Sequence, residues 1–94
     1  MEKLKEILKQ KNVNVIDVRS DWEYAEQHIS NAINIPLDQI PSRMNEFRKL
    51  NGPVILYCRS GARSGMATSL VKQAGVIEVY NGGGITDIQK LILN

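Results

Sequence analysis

The residues with the clearest potential for chemistry form one short run, Cys58-Arg59-Ser60-Gly61-Ala62-Arg63-Ser64. Cys58 is the only cysteine of the chain, and it directly follows a strand-like apolar segment. Small residues follow it, and Gly61 allows the backbone to curl so that the amide N–H groups face one point. A helix that begins directly afterwards adds its unpaired N–H groups and the positive end of its dipole. The run therefore predicts an anion-binding loop around a sulfur atom, with Arg59 and Arg63 adding two positive charges.

These surroundings favour the ionised form of the Cys58 thiol. A free cysteine with a pKa of about 8.5 is only ~3% thiolate at pH 7. Lowering this pKa by one unit requires about 1.4 kcal/mol of preferential stabilisation of the thiolate. A helix N-terminus contributes on the order of 0.5–2 kcal/mol, and converging amides with an arginine contribute a similar amount. A drop of about two units would leave the thiol about three-quarters ionised at pH 7. We therefore predict a nucleophilic thiolate at neutral pH that is open to molecules in the solvent.

The same cysteine has a second interpretation. A lone cysteine at the end of an apolar strand is often a small buried hydrophobic residue without chemical function. Two arginines in the turn that follows weigh against this interpretation, because burying both of them would be costly.

The rest of the chain predicts alternating helices and strands that position this loop. Residues with helical apolar spacing predict helices, and short β-branched runs predict strands. The predicted elements are helix 2–11, strand 13–18, helix 22–27 with Glu23 in its first turn, strand 33–35, helix 40–50 and strand 54–57. They continue with a helix whose inward stripe is Met66, Ala67, Leu70, Val71 and Ala74, strand 76–80, a flexible turn at Gly82-Gly83-Gly84, and helix 85–93 with Ile85, Ile88 and Ile92 on one side. Crossovers of this length suit parallel pairing. The sequence therefore predicts an α/β fold with a small parallel β-sheet of four to five strands flanked by helices on both faces.

Composition and charge limit the classes of function. The chain has 94 residues, of which 43% are hydrophobic and 23% charged, and this predicts a single globular domain over residues 1–94. No apolar run is long enough to span a membrane, and the N-terminus lacks the apolar stretch of a signal peptide, so we expect a cytoplasmic protein. A net charge of +2 with few aromatic residues argues against a nucleic-acid partner. One cysteine and one histidine are too few for a usual metal site, so no metal is expected.

The cysteine loop resembles the active-site loop of single-domain rhodaneses, a family of sulfurtransferases. Further segments in the same order are similar to that family, namely Ile16-Asp17-Val18-Arg19 with Glu23-Tyr24, His28-Ile29 with residues 32–37, and Tyr80-Asn81-Gly82-Gly83. The resemblance implies a rhodanese-like fold and a reaction that proceeds through a persulfide on Cys58. A small anionic sulfur donor such as thiosulfate would supply the sulfur, and cyanide, a thiol or a sulfur-relay protein would accept it.

The resemblance also implies a role for each residue of the loop. Cys58 would be the catalytic nucleophile, and the substrate-binding residues would be Arg59, Ser60, Gly61, Ala62, Arg63 and Ser64. Their amides would hold the persulfide as an oxyanion hole holds oxygen, while the two arginines bind the anionic donor and the departing sulfite. A thiolate that is already ionised needs no base, metal or organic cofactor, so no cofactor is expected.

Two other functions were compared with this loop. Related cysteine-dependent phosphatases have five residues between the cysteine and an arginine, and this loop surrounds a phosphate. Only four residues separate Cys58 from Arg63, so the loop is one residue shorter than a phosphatase loop. A rhodanese module that binds or regulates a protein without turning over its thiol is the main alternative. The presence of the cysteine and both arginines favours the enzyme.

Four residues outside the loop have structural interpretations. We expect His28 to be a hydrogen-bonded structural residue rather than a base for the thiol. Asp17 and Arg19 are expected to form an ion pair at the end of the first strand. Trp22 is expected to pack against other residues, with a place at the mouth of the site as the alternative.

Overall fold

The computed structural model describes residues 2–93 and contains one four-stranded sheet with helices on both faces. The helices are α1 (Glu2–Leu8), α2 (Asp21–Glu26), α3 (Met44–Arg48), α4 (Ala62–Gln73) and α5 (Ile85–Leu93). The strands are β1 (Asn14–Asp17), β2 (Ile33–Asn34), β3 (Val54–Cys58) and β4 (Val79–Gly84). All neighbouring strands pair in parallel, in the order β2-β1-β3-β4. The predicted α/β fold with a parallel sheet is therefore confirmed, with four strands.

The strand β3 lies inside the sheet and is buried along its whole length. Because successive side chains of a strand point to opposite faces, its apolar residues supply two separate cores. Val54, Leu56 and Cys58 pack in the cluster that contains residues of α3 and α4. Ile55 and Tyr57 pack in the cluster that contains residues of α1 and α5. The strand thus carries Cys58 to its carboxyl end, which is where ligands bind in open parallel sheets.

The predicted helix over residues 40–50 is wrong in its extent. Two short 3₁₀ turns, Leu37–Gln39 and Pro41–Arg43, come first, and α3 begins only at Met44. Proline has no N–H to donate to a preceding carbonyl, so Pro41 can start a turn but cannot continue a helix from the residues before it.

The glycine run at residues 82–84 forms the end of β4 and not the predicted flexible turn. The predicted strand over residues 76–80 is accordingly shifted, and Ile77 is 88% exposed. A Cβ atom at Gly82 would lie 2.7 Å from the side chain of Ile88 and 2.8 Å from that of Ile55. Glycine at this position permits close packing of α5 on the sheet, a role that composition alone does not distinguish from a turn.

The buried stripe of α4 also differs from the prediction. The buried residues of this helix are Ser64, Ala67, Thr68 and Val71, which follow the helical spacing i, i+3, i+4, i+7. Met66 is 63% exposed, so its predicted inward orientation is wrong. Ala67 and Val71 are buried as predicted, and Leu70 packs against the same core. Ser64 and Thr68 were missed because a search for apolar periodicity does not select polar residues.

The helix α5 covers the opposite face of the sheet from α4. Ile85 and Ile88 are buried as predicted, whereas Ile92, which was expected on the same side, is 53% exposed. In residues 2–93, every helix is too short or too polar to cross a membrane.

Candidate active site

The loop between β3 and α4 curls around the sulfur of Cys58. Cys58 is the last residue of β3, and α4 begins at Ala62 with Gly61 as its N-cap. Gly61 has a φ of 99°, a conformation that glycine adopts without steric cost. Its N–H group thereby points back into the loop and donates a hydrogen bond to Cys58 Sγ at 3.0 Å. The predicted curl at Gly61 is confirmed, whereas the helix expected after the run of residues 58–64 begins within it, at Ala62.

The end of β4 provides the space that this loop occupies. Gly84 pairs in register with Cys58, and a Cβ atom at Gly84 would overlap the carbonyl oxygen of Arg59. A Cβ atom at Gly61 would lie 3.4 Å from the Cα atom of Gly83. The loop can therefore lie this close to β4 because Gly84 carries no side chain. Sequence reasoning missed this role, because it placed these glycines in a turn.

Ser64 makes a second polar contact with the sulfur. Its side chain is buried, and Oγ lies 3.4 Å from Cys58 Sγ. The same hydroxyl donates to Asn81 Oδ1 at 2.6 Å, and Asn81 Nδ2 donates to the Gly61 carbonyl oxygen at 3.2 Å. Asn81 was not among the predicted site residues. It is 17 positions from Ser64, and no local pattern in the sequence indicates this contact.

These hydrogen bonds lower the pKa of the Cys58 thiol. Burial favours the neutral thiol and raises the pKa, and it is the largest single effect. The Ser64 hydroxyl and the backbone N–H groups of Ser64, Gly61 and Ser60 act in the opposite direction, because they stabilise the anion. Together they outweigh burial, so the predicted direction of the shift is confirmed.

The prediction that the sulfur is open to solvent is wrong. Cys58 is 0% exposed and belongs to the apolar cluster on the α4 side of the sheet. The amide groups that converge on the sulfur also close over it, and this explains the difference. The adjacent loop residues Arg59 and Ser60 are both exposed. Solvent can therefore touch Sγ only after the loop moves.

Arg63 is held in an ion pair with Glu23 of α2. Arg63 Nη1 donates to Glu23 Oε1 at 2.7 Å, and Nη2 donates to Oε2 at 3.1 Å. Glu23 Oε1 also accepts the backbone N–H of Ser20 at 3.1 Å and its hydroxyl at 2.8 Å. The hydrogen bond from Arg63 is the main reason why the pKa of Glu23 falls to about 2. One of the two predicted positive charges is thus balanced by a carboxylate that sequence reasoning had assigned only to the first turn of a helix.

Glu23 keeps Arg63 close to the sulfur while it balances the charge. The pKa of Arg63 is raised chiefly by its hydrogen bond to Glu23 and, to a smaller degree, by the negative charge of Cys58. The spacing Ser20-x-x-Glu23 is typical of a helix capping box and could have predicted the contact within α2. It could not have predicted the contact with Arg63, which is 40 positions away.

Arg59 lies on the outer side of the loop. Its exposed side chain borders a groove of about 430 Å³, together with Trp22 of α2 and Thr86 of α5. Trp22 is 63% exposed, and its place beside Arg59 matches the alternative, a position at the mouth of the site.

The remaining residues with structural interpretations behave as predicted. Arg19 Nη2 and Asp17 Oδ2 form a buried ion pair at 2.7 Å, and Arg19 Nη2 also donates to the Gln27 carbonyl oxygen at 2.6 Å. His28 stacks on the ring of Tyr24 with 3.7 Å between centroids, and its Nδ1 lies 2.8 Å from the Tyr24 carbonyl oxygen. In the part of the chain that the structure describes, no three His, Cys, Asp or Glu side chains are grouped so that they could hold a metal ion.

The chain is similar to several known proteins along most of its length. The family model described as Rhodanese-like domain matches residues 1–91. The chain is 38% identical over 74 residues to thiosulfate sulfurtransferase PspE of Escherichia coli (strain K12), an alignment that covers 78% of the chain and 71% of PspE. It is 42% identical over 71 residues to YqhL of Bacillus subtilis (strain 168), covering 76% of the chain but only 56% of that longer relative. Its structure matches the human single-domain sulfurtransferase TSTD1 with a TM-score of 0.80 at 25% identity, covering 96% of this chain and 92% of that one.

Proposed function

Because the chain belongs to the rhodanese-like family, we propose that it is a sulfurtransferase that carries sulfur as a persulfide on Cys58. The Cys58 thiolate attacks the outer sulfur of thiosulfate or a similar sulfane donor. A new S–S bond forms at Sγ, and the donor's own S–S bond breaks, so that sulfite leaves with the bonding electron pair. An acceptor, which is cyanide, a small thiol or the thiol of a sulfur-relay protein, then attacks the outer sulfur, and Cys58 leaves as a thiolate.

The observation that carries this proposal is the hydrogen bond from the Gly61 N–H to Cys58 Sγ at 3.0 Å. Sulfur is a weak acceptor when neutral, and an N–H donor aimed at it stabilises the thiolate. The thiolate is the nucleophilic form of cysteine, and a charge that is already held by fixed dipoles needs no base to create it. A cysteine that only fills a core position has no need of such donors.

The contacts of the two arginines support different roles for them in this proposal. Arg63 is already paired with Glu23, so it stabilises the loop and adds only part of its charge to the site. Arg59 is exposed beside the groove, and within residues 2–93 no carboxylate forms a salt bridge with it. We therefore assign recognition of the anionic donor mainly to Arg59.

The burial of Cys58 favours a second candidate, a rhodanese module that binds or regulates a partner without turnover. A sulfur atom with 0% exposure reacts only when the covering loop opens, and a module without activity would never need this motion. The two candidates differ in one property, which is whether a donor can place sulfur on Cys58.

Mass spectrometry of the intact protein after incubation with thiosulfate distinguishes them. The sulfurtransferase gains one sulfur atom, and cyanide or a thiol removes it. Cys58→Ser is the matched control and must show no adduct, since the chain has no other cysteine. Absence of an adduct with thiosulfate and with an organic persulfide donor would favour the module.

A further inference from the structure

The hydroxyl group of Ser64 has more acceptors around it than protons to give. Ser64 Oγ lies 2.6 Å from Asn81 Oδ1, 3.2 Å from the Gly61 carbonyl oxygen, and 3.4 Å from both the Gly83 carbonyl oxygen and Cys58 Sγ. A serine hydroxyl donates only one hydrogen bond at a time. Ser64 is 0% exposed, so these four groups compete for the same proton.

The amide of Asn81 presents its oxygen to Ser64. Asn81 Oδ1 also accepts the backbone N–H of Gly83 at 2.9 Å, while Nδ2 donates to the Gly61 carbonyl oxygen at 3.2 Å. Both contacts require the same orientation of the amide, and exchange of its oxygen and nitrogen would break both. Asn81 Oδ1 is the nearest acceptor, so it takes the Ser64 proton. Ser64 Oγ is then left to accept the S–H of a neutral Cys58.

We propose that Asn81 is a positioning residue that holds the proton of Ser64 while Cys58 is neutral and yields it to the sulfur when Cys58 ionises. The thiol proton leaves to water when the loop moves and solvent reaches Sγ, and the Ser64 O–H rotates from Asn81 Oδ1 to the negative Sγ. No covalent bond changes at Ser64. Asn81 Oδ1 keeps its hydrogen bond from Gly83 and is not left without a donor.

The same rotation would follow the charge through sulfur transfer. When a persulfide forms, the negative charge moves to the outer sulfur and Sγ becomes neutral, so the Ser64 proton returns to Asn81. This later step rests on the proposed function, whereas the rotation on ionisation of Cys58 does not.

The proposal predicts the sign of a pKa change. In the protein as it stands, ionised Cys58 obtains the Ser64 hydrogen bond only by breaking the 2.6 Å bond to Asn81. Without the Asn81 acceptor, that cost disappears and the thiolate becomes easier to form. A purely structural role predicts the reverse, because Asn81 Nδ2 braces the Gly61 carbonyl and so helps to aim the Gly61 N–H at the sulfur.

Substitutions of Asn81 and Ser64 do not change any charged group near Cys58. On the neighbouring elements they are Arg59, Arg63, Glu23, Asp17, Arg19 and Asp87. Arg63 pairs with Glu23, Arg19 pairs with Asp17, and Asp87 accepts the N–H of Gly84. The one histidine, His28, contacts Tyr24 away from this loop.

The test is the thiol pKa of Asn81→Ala, measured from the ultraviolet absorbance of the thiolate against pH, with Cys58→Ser as the blank. We expect the pKa to fall by about 0.5–1 unit, a gain of roughly three- to tenfold in the thiolate-to-thiol ratio. Asn45→Ala, on the exposed side of α3, is the matched control and should leave the pKa unchanged. A rise in Asn81→Ala would show that Asn81 is only a brace, and an unchanged value would show that the two groups are not coupled.

A double-mutant cycle provides the second readout. Ser64→Ala should raise the thiol pKa, and adding Asn81→Ala to it should cause no further fall, because no hydroxyl proton remains to be released. An equal fall in both backgrounds would overturn the proposal. If Ser64→Ala does not fold, the direction in which the Cys58 thiol pKa changes in Asn81→Ala decides between the proposal and a purely structural role. No sulfur donor is present in these titrations, so their outcome is independent of the test for persulfide formation.

Discussion

Replacement of Glu23 by Gln removes the charge that pairs α2 with the active-site loop, and we expect it to destabilise the protein. The pKa of Glu23 is lowered from 4.5 to about 2, mainly by the hydrogen bond from Arg63. At about 1.4 kcal/mol for each unit, this shift corresponds to about 3 kcal/mol. The Arg63 side chain is 37% exposed and that of Glu23 is 12% exposed, so water screens part of the attraction. We therefore expect a loss of about 1–2 kcal/mol in the free energy of unfolding at neutral pH.

The pH dependence of this loss is a second part of the same prediction. The folded-state pKa of Glu23 lies below its ordinary value, so the stabilisation is fully present above the ordinary value of 4.5 and disappears as the pH falls toward about 2. Urea unfolding at neutral pH and near pH 3 measures it for both proteins. The difference between wild type and Glu23→Gln should shrink by more than half at about pH 3.

Glu46→Gln is a matched control for this experiment. Glu46 pairs with Arg43 at 2.6 Å, but its side chain is 51% exposed, and exposed pairs contribute little to stability. We expect Glu46→Gln to change the free energy of unfolding much less than Glu23→Gln does. Equal losses in the two variants, or a Glu23→Gln loss that stays constant in acid, would refute the reasoning.

Two further substitutions test the packing of the site. Gly84→Ala should lower the melting temperature and raise the Cys58 thiol pKa, because the new Cβ would overlap the carbonyl oxygen of Arg59 and displace the loop. Gly65→Ala is the control and should fold normally, because its Cβ would lie 3.4 Å from the nearest atom. The Tyr57 hydroxyl accepts a hydrogen bond from the buried Ile29 N–H at 3.0 Å, and Tyr57→Phe removes this acceptor. We expect the free energy of unfolding, measured in urea, to fall by about 1–3 kcal/mol. An unchanged free energy would contradict the hydrogen bond.

The parts of the fold that follow from local chemistry could be predicted from the sequence. The apolar run of β3 predicts a strand covered on both faces, and small residues after Cys58 predict a tight turn into a helix. The direction of the Cys58 pKa shift follows from the same turn, because backbone N–H groups are present in any sequence. Gly61 is the residue at which the required backbone conformation could be located in advance.

The parts that depend on contacts between distant segments could not be predicted. Gly84 lies beside the cysteine loop because β4 pairs with β3, and nothing near Gly84 in the sequence indicates that register. The same is true of Asn81 on β4, which contacts Ser64 only because the helix α4 packs on this strand. The burial of Cys58 was missed for a related reason, since the exposure of an atom depends on everything that packs around it.

The central claim is that hydrogen bonds from the loop outweigh burial and make the Cys58 thiol more acidic than that of an unstructured chain. The most direct test is the thiolate absorbance of the folded protein against pH, compared with the same protein unfolded in urea and with Cys58→Ser subtracted from both. Because the chain has one cysteine, each curve reports one thiol. A lower midpoint in the folded protein is the predicted result, and a midpoint equal to or above that of the unfolded chain would contradict the claim.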